Sequence, residues 1–277
     1  MKPAFVRTLL LVGFLLPSHP LRGDAIGDAF DSWLTMVDRT QAAQPHWITP
    51  LVTVTPRLEQ ELRSDFVWED EPNGRSTTIY GNGKGLELIP MEYVEVILGI
   101  PPYIDRSNGR ASGFGDESFL VKYRLLAGNE SAGNYIVTAF LGLAVPTGDQ
   151  ALTLRHTVFT PTLAAGKGWG DFDVQSTLAV SVPDDAPGGL GTPVLWNAAL
   201  QYRIVQKLWP EFEVNVTSWP NGDKSGKMQV FLTPGVVIGR LPLWGRLGLT
   251  VGSGVQVAAT HTRSANHKVI FSARLPF

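Results

Sequence analysis

From Lys268 to Phe277 apolar and mostly polar side chains alternate without a break. Val269, Phe271, Ala273, Leu275 and Phe277 fall on one side of the backbone, and Lys268, Ser272 and Arg274 on the other. Side chains of a strand repeat every two residues, so this stretch is a strand with one greasy and one wet face. The same period governs most of the chain from about residue 56 onward, which restricts the fold to a sandwich or a barrel of antiparallel strands.

The pattern predicts about twelve strands, near residues 57–69, 77–89, 92–103, 116–126, 134–146, 157–166, 170–183, 192–205, 209–218, 228–239, 244–259 and 266–277. Tight turns are expected at Pro90-Met91, Lys167-Gly168-Trp169, Gln206-Lys207-Leu208 and Arg240-Leu241-Pro242-Leu243. They alternate with longer polar loops near 70–76, 104–115, 147–156, 184–191, 219–227 and 260–265. Short turns at one end and long loops at the other, with an even strand count, are the habit of outer-membrane barrels. Strands of 10 to 15 residues suit a tilted membrane crossing better than a sandwich, whose strands average about 5 to 6. Trp169, Trp209 and Trp244 fall at short turns, and Trp68 and Trp219 at the long-loop ends, as two interfacial girdles would require. The terminal Phe277, preceded by Phe271 and Leu275 on the same face, resembles the signal by which Gram-negative machinery assembles such barrels.

At the other end, Lys2 and Arg7 precede an apolar run from Leu9 to Leu16, followed by Pro17 and the small-x-small triplet Gly23-Asp24-Ala25. Residues 1–25 therefore read as a secretory signal peptide, with export by cleavage near Ala25. The run is far below the roughly 20 residues of a spanning helix. Residues 26–46 form a separate amphipathic segment, because Ile26, Ala29, Phe30, Trp33, Leu34 and Val37 recur at spacings of three and four. The helix ends before Pro45 and either packs on the fold or acts as a periplasmic plug or docking element. Residues 47–277 make the barrel. The fold class is all-β: an antiparallel transmembrane β-barrel with a short N-terminal helix after a signal peptide.

Composition narrows the function. With 29 Gly, 20 Pro and 8 Trp the chain is rich in turn formers and interface aromatics, and 17% charged residues is low against the usual 25% or so. Without cysteine there is no disulfide framework, thiolate metal site or thiol nucleophile. Without residues 1–25 the balance is 20 basic to 24 acidic side chains, which leaves no basic footprint for nucleic acid. Gly166-Lys167 lacks the upstream Gly of a phosphate loop, since position 161 is Pro161, and Gly81-x-Gly83-x-Gly85 lacks dinucleotide spacing. His156, His261, Ser264 and His267 gather near the long-loop end, but no Gly-x-Ser-x-Gly elbow surrounds Ser264. Glu69-Asp70-Glu71 reads as a hydrated loop or as a cation site shared with lipopolysaccharide. No catalytic residue, metal site or cofactor is expected, and no enzymatic activity.

The polar faces carry the candidate lumen. Its expected lining is Arg57, Glu59, Glu61, Arg63, Asp65, Glu87, Glu95, Lys122, Arg124, Asp171, Asp173, Arg203, Glu211, Glu213, Arg246 and Arg274, with Lys268 beside them. Charges of both signs in near balance point to a narrow, weakly ion-selective or partly blocked bore, or to cross-lumen ion pairs that only stiffen the wall.

Several stretches carry a family resemblance: Trp47-Ile48-Thr49-Pro50 before Pro56-Arg57-Leu58-Glu59-Gln60-Glu61, Gly113-Phe114-Gly115-Asp116 before Lys122-Tyr123-Arg124-Leu125, and Pro146-Thr147-Gly148. Gly166-Lys167-Gly168-Trp169-Gly170-Asp171-Phe172, Trp209-Pro210-Glu211-Phe212-Glu213-Val214-Asn215 and Leu232-Thr233-Pro234-Gly235 follow in order. Over most of residues 47–277 the chain resembles the phenol-degradation meta-pathway outer-membrane proteins. The resemblance implies a transporter-like barrel connected with aromatic catabolism, with no catalytic residues to carry over. The expected function is an outer-membrane channel for small neutral or aromatic solutes in a Gram-negative bacterium. Its expected partners are outer-membrane lipid, lipopolysaccharide, the barrel assembly machinery and the solute. The rivals are a rim-site lipid hydrolase, a plugged structural barrel without transport, and a soluble periplasmic β-protein.

Overall fold

A computed structural model describes residues 23–82, 84–186 and 188–277. Most of the expected signal peptide lies outside these residues. Helix α1 spans Gly23–Ala42, and twelve antiparallel strands follow. They are β1 (Glu61–Glu71), β2 (Arg75–Gly81 and Gly85–Met91), β3 (Val94–Gly99 and Tyr103–Arg106), β4 (Gly113–Phe114 and Glu117–Gly128), β5 (Tyr135–Val145) and β6 (Val158–Trp169). Then come β7 (Phe172–Val180 and Val182–Pro183), β8 (Val194–Tyr202), β9 (Leu208–Trp219), β10 (Lys227–Trp244), β11 (Leu247–Ala258) and β12 (His267–Pro276). Strands in two pieces keep one place in the sheet. The first piece of β2 pairs β1 from Asp65↔Gly81 to Glu71↔Arg75, and the second from Glu61↔Glu87 to Leu62↔Leu86.

Each strand pairs with its neighbour in sequence, and β1 pairs with β12 from Glu61↔Pro276 to Asp70↔His267, which closes the sheet on itself. Closure leaves no unpaired edge, the condition a β structure must meet to span a bilayer. The accessibility pattern is inverted relative to a soluble domain. Leu98, Val121, Leu141, Leu163 and Leu178 are exposed, whereas Glu95, Lys122, Asp173, Glu213 and Arg274 are at most 1% exposed. Apolar side chains outside and charges inside define a wall that faces lipid. Across five adjacent strands Phe271, Phe66, Tyr80, Tyr103 and Phe114 form a ladder of ring contacts on the outer face, with centroids 5.3–6.4 Å apart.

Several expectations need correction. Strand β1 begins at Glu61, not residue 57, because residues 57–60 leave the wall and run inside the barrel. The connection expected as a long loop near 70–76 is a tight turn, Pro72-Asn73-Gly74, in which Asn73 and Gly74 take φ of 74° and 68°. Asn-Gly supplies such left-handed geometry at little steric cost. Strand β10 runs through Arg240–Leu243 to Trp244, and the turn falls at Gly245-Arg246. Two register shifts against β11, between Ile238 and Leu241 and between Pro242 and Trp244, let Pro242 sit in the strand. Of the five girdle tryptophans, Trp209 and Trp219 are buried on the inward parity of β9, whereas Trp169 and Trp244 stand exposed at short turns.

Helix α1 lies at the short-turn end. Its C-terminal half docks: Val37 is buried with Leu58 and Ile89, and Trp33 Nε1 donates to Ile89 O at 2.8 Å. Asp38 pairs with Arg246 in the β10–β11 turn, Arg39 with Glu92 in the β2–β3 turn, and Arg124 Nη1 donates to Thr40 O at 2.7 Å. Ile26 and Phe30, on its N-terminal half, stay exposed.

Candidate functional site: a lumen closed by the N-terminal segment

Between α1 and β1 the chain turns into the barrel. Gln44 fixes this entry, its amide donating to Leu58 O at 2.8 Å and its carbonyl accepting from Leu58 N at 2.9 Å. Residues 45–60 contain Pro45, Pro50 and Pro56, whose missing N–H groups keep the segment out of any sheet. Irregular backbone at membrane depth survives only where protein groups satisfy its polar atoms. Here the wall does so, with charges of opposite sign on different strands.

From β9, Glu211 Oε1 accepts from Leu51 N at 3.0 Å, and Glu213 accepts from Val52 N and Thr53 N at 2.8 and 2.6 Å. From β1, Arg63 Nη2 donates to Leu51 O at 2.6 Å, and from β12, Arg274 donates to Thr49 O and, at 2.8 Å, to Pro50 O. Carboxylates thus hold the N–H groups of residues 51–53 while guanidiniums hold the carbonyls of residues 49–51. Such charge-assisted bonds are roughly twice as strong as neutral ones. Further along, Gln175 Nε2 donates to Ile48 O at 3.0 Å, Thr138 Oγ1 to Pro56 O at 2.6 Å and Lys122 Nζ to Arg57 O at 3.1 Å. Glu95 accepts from Glu59 N at 2.6 Å.

Apolar anchoring completes the closure. Trp47, Ile48 and Leu51 cluster with Ile136, Trp209 and Val237 of the wall. The wall makes room by omitting side chains. A Cβ at Gly235, Gly252 or Gly254 would lie 2.6, 2.6 or 2.8 Å from a Leu51 methyl, and one at Gly166 would lie 2.5 Å from the Trp47 ring. These strand glycines mark close approach rather than turns.

The sixteen expected lining residues separate into three groups. Glu61, Arg63, Asp65, Glu87, Glu95, Lys122, Arg124, Asp173, Glu211, Glu213 and Arg274 are buried on the strands. Arg57 and Glu59 are equally buried but belong to the inner segment, where they pair at 2.9 Å while Glu59 also meets Arg240 at 2.8 Å. Asp171, Arg203 and Arg246 are not in the lumen. Asp171 and Arg203 pair with each other at 2.6 Å, exposed at the short-turn end, and Arg246 pairs with Asp38 of the helix. They lie past the ends of their strands, where alternation no longer sets direction. Phe271 is exposed on the outer wall, and Leu275 and Phe277 are half-buried.

The sequence reading missed the inner segment itself. Its available signal was the proline spacing after the helix, which alternation through Arg57 and Glu59 concealed. At the long-loop end, His267 Nδ1 lies 3.4 Å from Asp70 and His156 Nδ1 2.9 Å from Asp184. Ser264 N donates to Gln229, and among the described residues no hydrogen bond joins Ser264 to a histidine.

Two solved structures share this architecture. The COG4313 outer membrane channel from Pseudomonas putida F1 aligns with a TM-score of 0.56 at 14% identity, over 83% of this chain and 100% of that one. The NanC porin aligns with a TM-score of 0.52 at 9% identity, over 78% of this chain and 98% of that one. At these identities the likeness establishes the fold, a closed barrel of the outer-membrane porin and channel kind. No protein-family model and no curated protein matches the sequence.

Proposed function

We propose that this chain is an outer-membrane channel for small solutes, closed at rest by its own residues 45–60. The observation that carries the reading is the double clamp on residues 49–53, with carboxylates on the N–H groups and guanidiniums on the carbonyls. Its groups sit on the wall, so the segment has a seat it can leave as a unit. The apolar outer face supports an outer-membrane location, with lipid and lipopolysaccharide around the barrel, the short turns and α1 in the periplasm, and insertion by the assembly machinery. The resemblance to the phenol-degradation meta-pathway proteins supports solutes with an aromatic or apolar body. A second reading, a structural barrel without transport, rests on the same filled interior.

Planar-bilayer recording separates the two. Glu213→Ala leaves the half-buried Val52 N–H and the buried Thr53 N–H without an acceptor, the buried one alone costing about 1–3 kcal/mol. At about 1.4 kcal/mol per tenfold, the open fraction of Glu213→Ala should exceed that of the wild type by roughly tenfold or more, as stepwise conductance. Silence from the well-folded variant, and from a Glu211→Ala/Glu213→Ala double variant, favours the structural barrel.

A further inference from the structure

The interior bases are accounted for with one exception. Arg57, Arg63, Lys122 and Lys268 pair with Glu59, Asp65, Glu95 and Glu69 at 2.7–2.9 Å. Arg124 and Arg274 donate to backbone carbonyls of the N-terminal segment. Lys84 sits where β2 is interrupted. Its backbone is tied, with its N–H donating to Gly81 O at 3.0 Å and its carbonyl accepting from Ile100 N at 3.1 Å. Its side chain, by contrast, has no hydrogen bond and no carboxylate within 4.0 Å among the described residues.

Lys84 borders two cavities. The larger, about 250 Å³, is walled by Val54, Ile97, Leu120 and Ala144. The smaller, about 190 Å³, lies over Leu51 and Val52 of the inner segment. The charged groups on the larger one are Arg63, Lys84, Lys122 and Glu87. Arg63 and Lys122 are already committed to carboxylates and carbonyls, so Lys84 is the base left to receive a ligand.

We infer that Lys84 and the larger cavity form a binding site for a small organic anion with an apolar body, such as a monocarboxylate. A partly buried ammonium with no direct hydrogen bond or ion pair is costly, and a carboxylate brought within hydrogen-bond reach offsets that cost. The walls take the apolar body, and a volume below the roughly 300–1,000 Å³ of drug-sized pockets limits its size. The site rests on the channel reading for its purpose and adds a negative head to the proposed solute.

The test is calorimetric titration of the refolded full-length protein in neutral detergent with benzoate and with uncharged benzyl alcohol. Wild type should bind benzoate more tightly than benzyl alcohol. Lys84→Gln should weaken benzoate at least about tenfold and leave benzyl alcohol unchanged, while Lys84→Arg retains most of the affinity. Heat-modified gel mobility checks that each variant is folded. Absence of benzoate binding to wild type, equal binding of the two compounds, or unchanged benzoate affinity in Lys84→Gln would overturn the inference. Conductance on release of the segment without Lys84-dependent binding would sink this site alone, and binding without conductance would sink only the channel.

Discussion

Leu51 shows how few atoms hold the lumen shut. Its backbone meets Glu211 on one side and Arg63 on another, and its methyls fill the space that Gly235, Gly252 and Gly254 leave empty. A methyl added at Gly252 would lie 2.6 Å from Leu51 Cδ2 and 3.2 Å from Val237 Cγ2, so either the segment or the wall must shift. Overpacking of this kind costs about 1–3 kcal/mol. Gly252→Ala should therefore make residues 45–60 markedly more sensitive to limited proteolysis in the folded barrel. Combined with Leu51→Ala, which vacates the space, it should cost less than the sum of the two single changes. Additive effects would mean that the glycine does not accommodate Leu51. The eleven charges buried on the strands were legible because each lies within a paired strand, where parity alone sets direction. Asp171, Arg203 and Arg246 lie beyond that regime, and Lys84 was concealed because it falls outside the two strand pieces Arg75–Gly81 and Gly85–Met91.

At the scale of elements, α1 joins the barrel through exposed ion pairs as well as buried contacts. The Arg246 guanidinium hydrogen-bonded to Asp38 holds that carboxyl below its ordinary pKa, burial opposing and the Arg246 charge adding to the effect. A carboxyl depressed on folding contributes stability above its unfolded value of about 3.9 and loses it as pH falls through the folded value. Both side chains are 40% or more exposed, so the pair is worth under about 1 kcal/mol. Acidification from pH 7 to below 4 should loosen the C-terminal half of α1, read as faster amide hydrogen exchange corrected for pH. Asp38→Asn should exchange fast already at pH 7. Equal protection in wild type and variant at pH 7 would remove the pair from the docking. Helix and strand count were both plain in the sequence, because the period changes from 3.6 to 2 between them. The start of β1 was not, since Arg57 and Glu59 are buried in the same polar interior as Glu61 and Arg63 and continue their parity off the strand. The end of β10 was misplaced because Pro242 looks like a turn residue, and only the register shifts accommodate it.

For the whole molecule, closure depends on β12. Phe271 faces outward opposite Phe66, and the strand's last residues pair with the beginning of β1. Removing Phe277 should leave the refolded barrel in detergent nearly intact, because Phe277 follows the last paired residue, yet should reduce the amount inserted into outer membranes of growing cells several-fold. Unchanged insertion would deny Phe277 a part in assembly. The inner segment runs directly into β1, and β1 meets the last strand of the chain at the seam. Residues 45–60 are thus joined covalently to one side of the seam and, through Arg274 of β12 on the Thr49 and Pro50 carbonyls, held to the other side, so the segment fastens the seam from within.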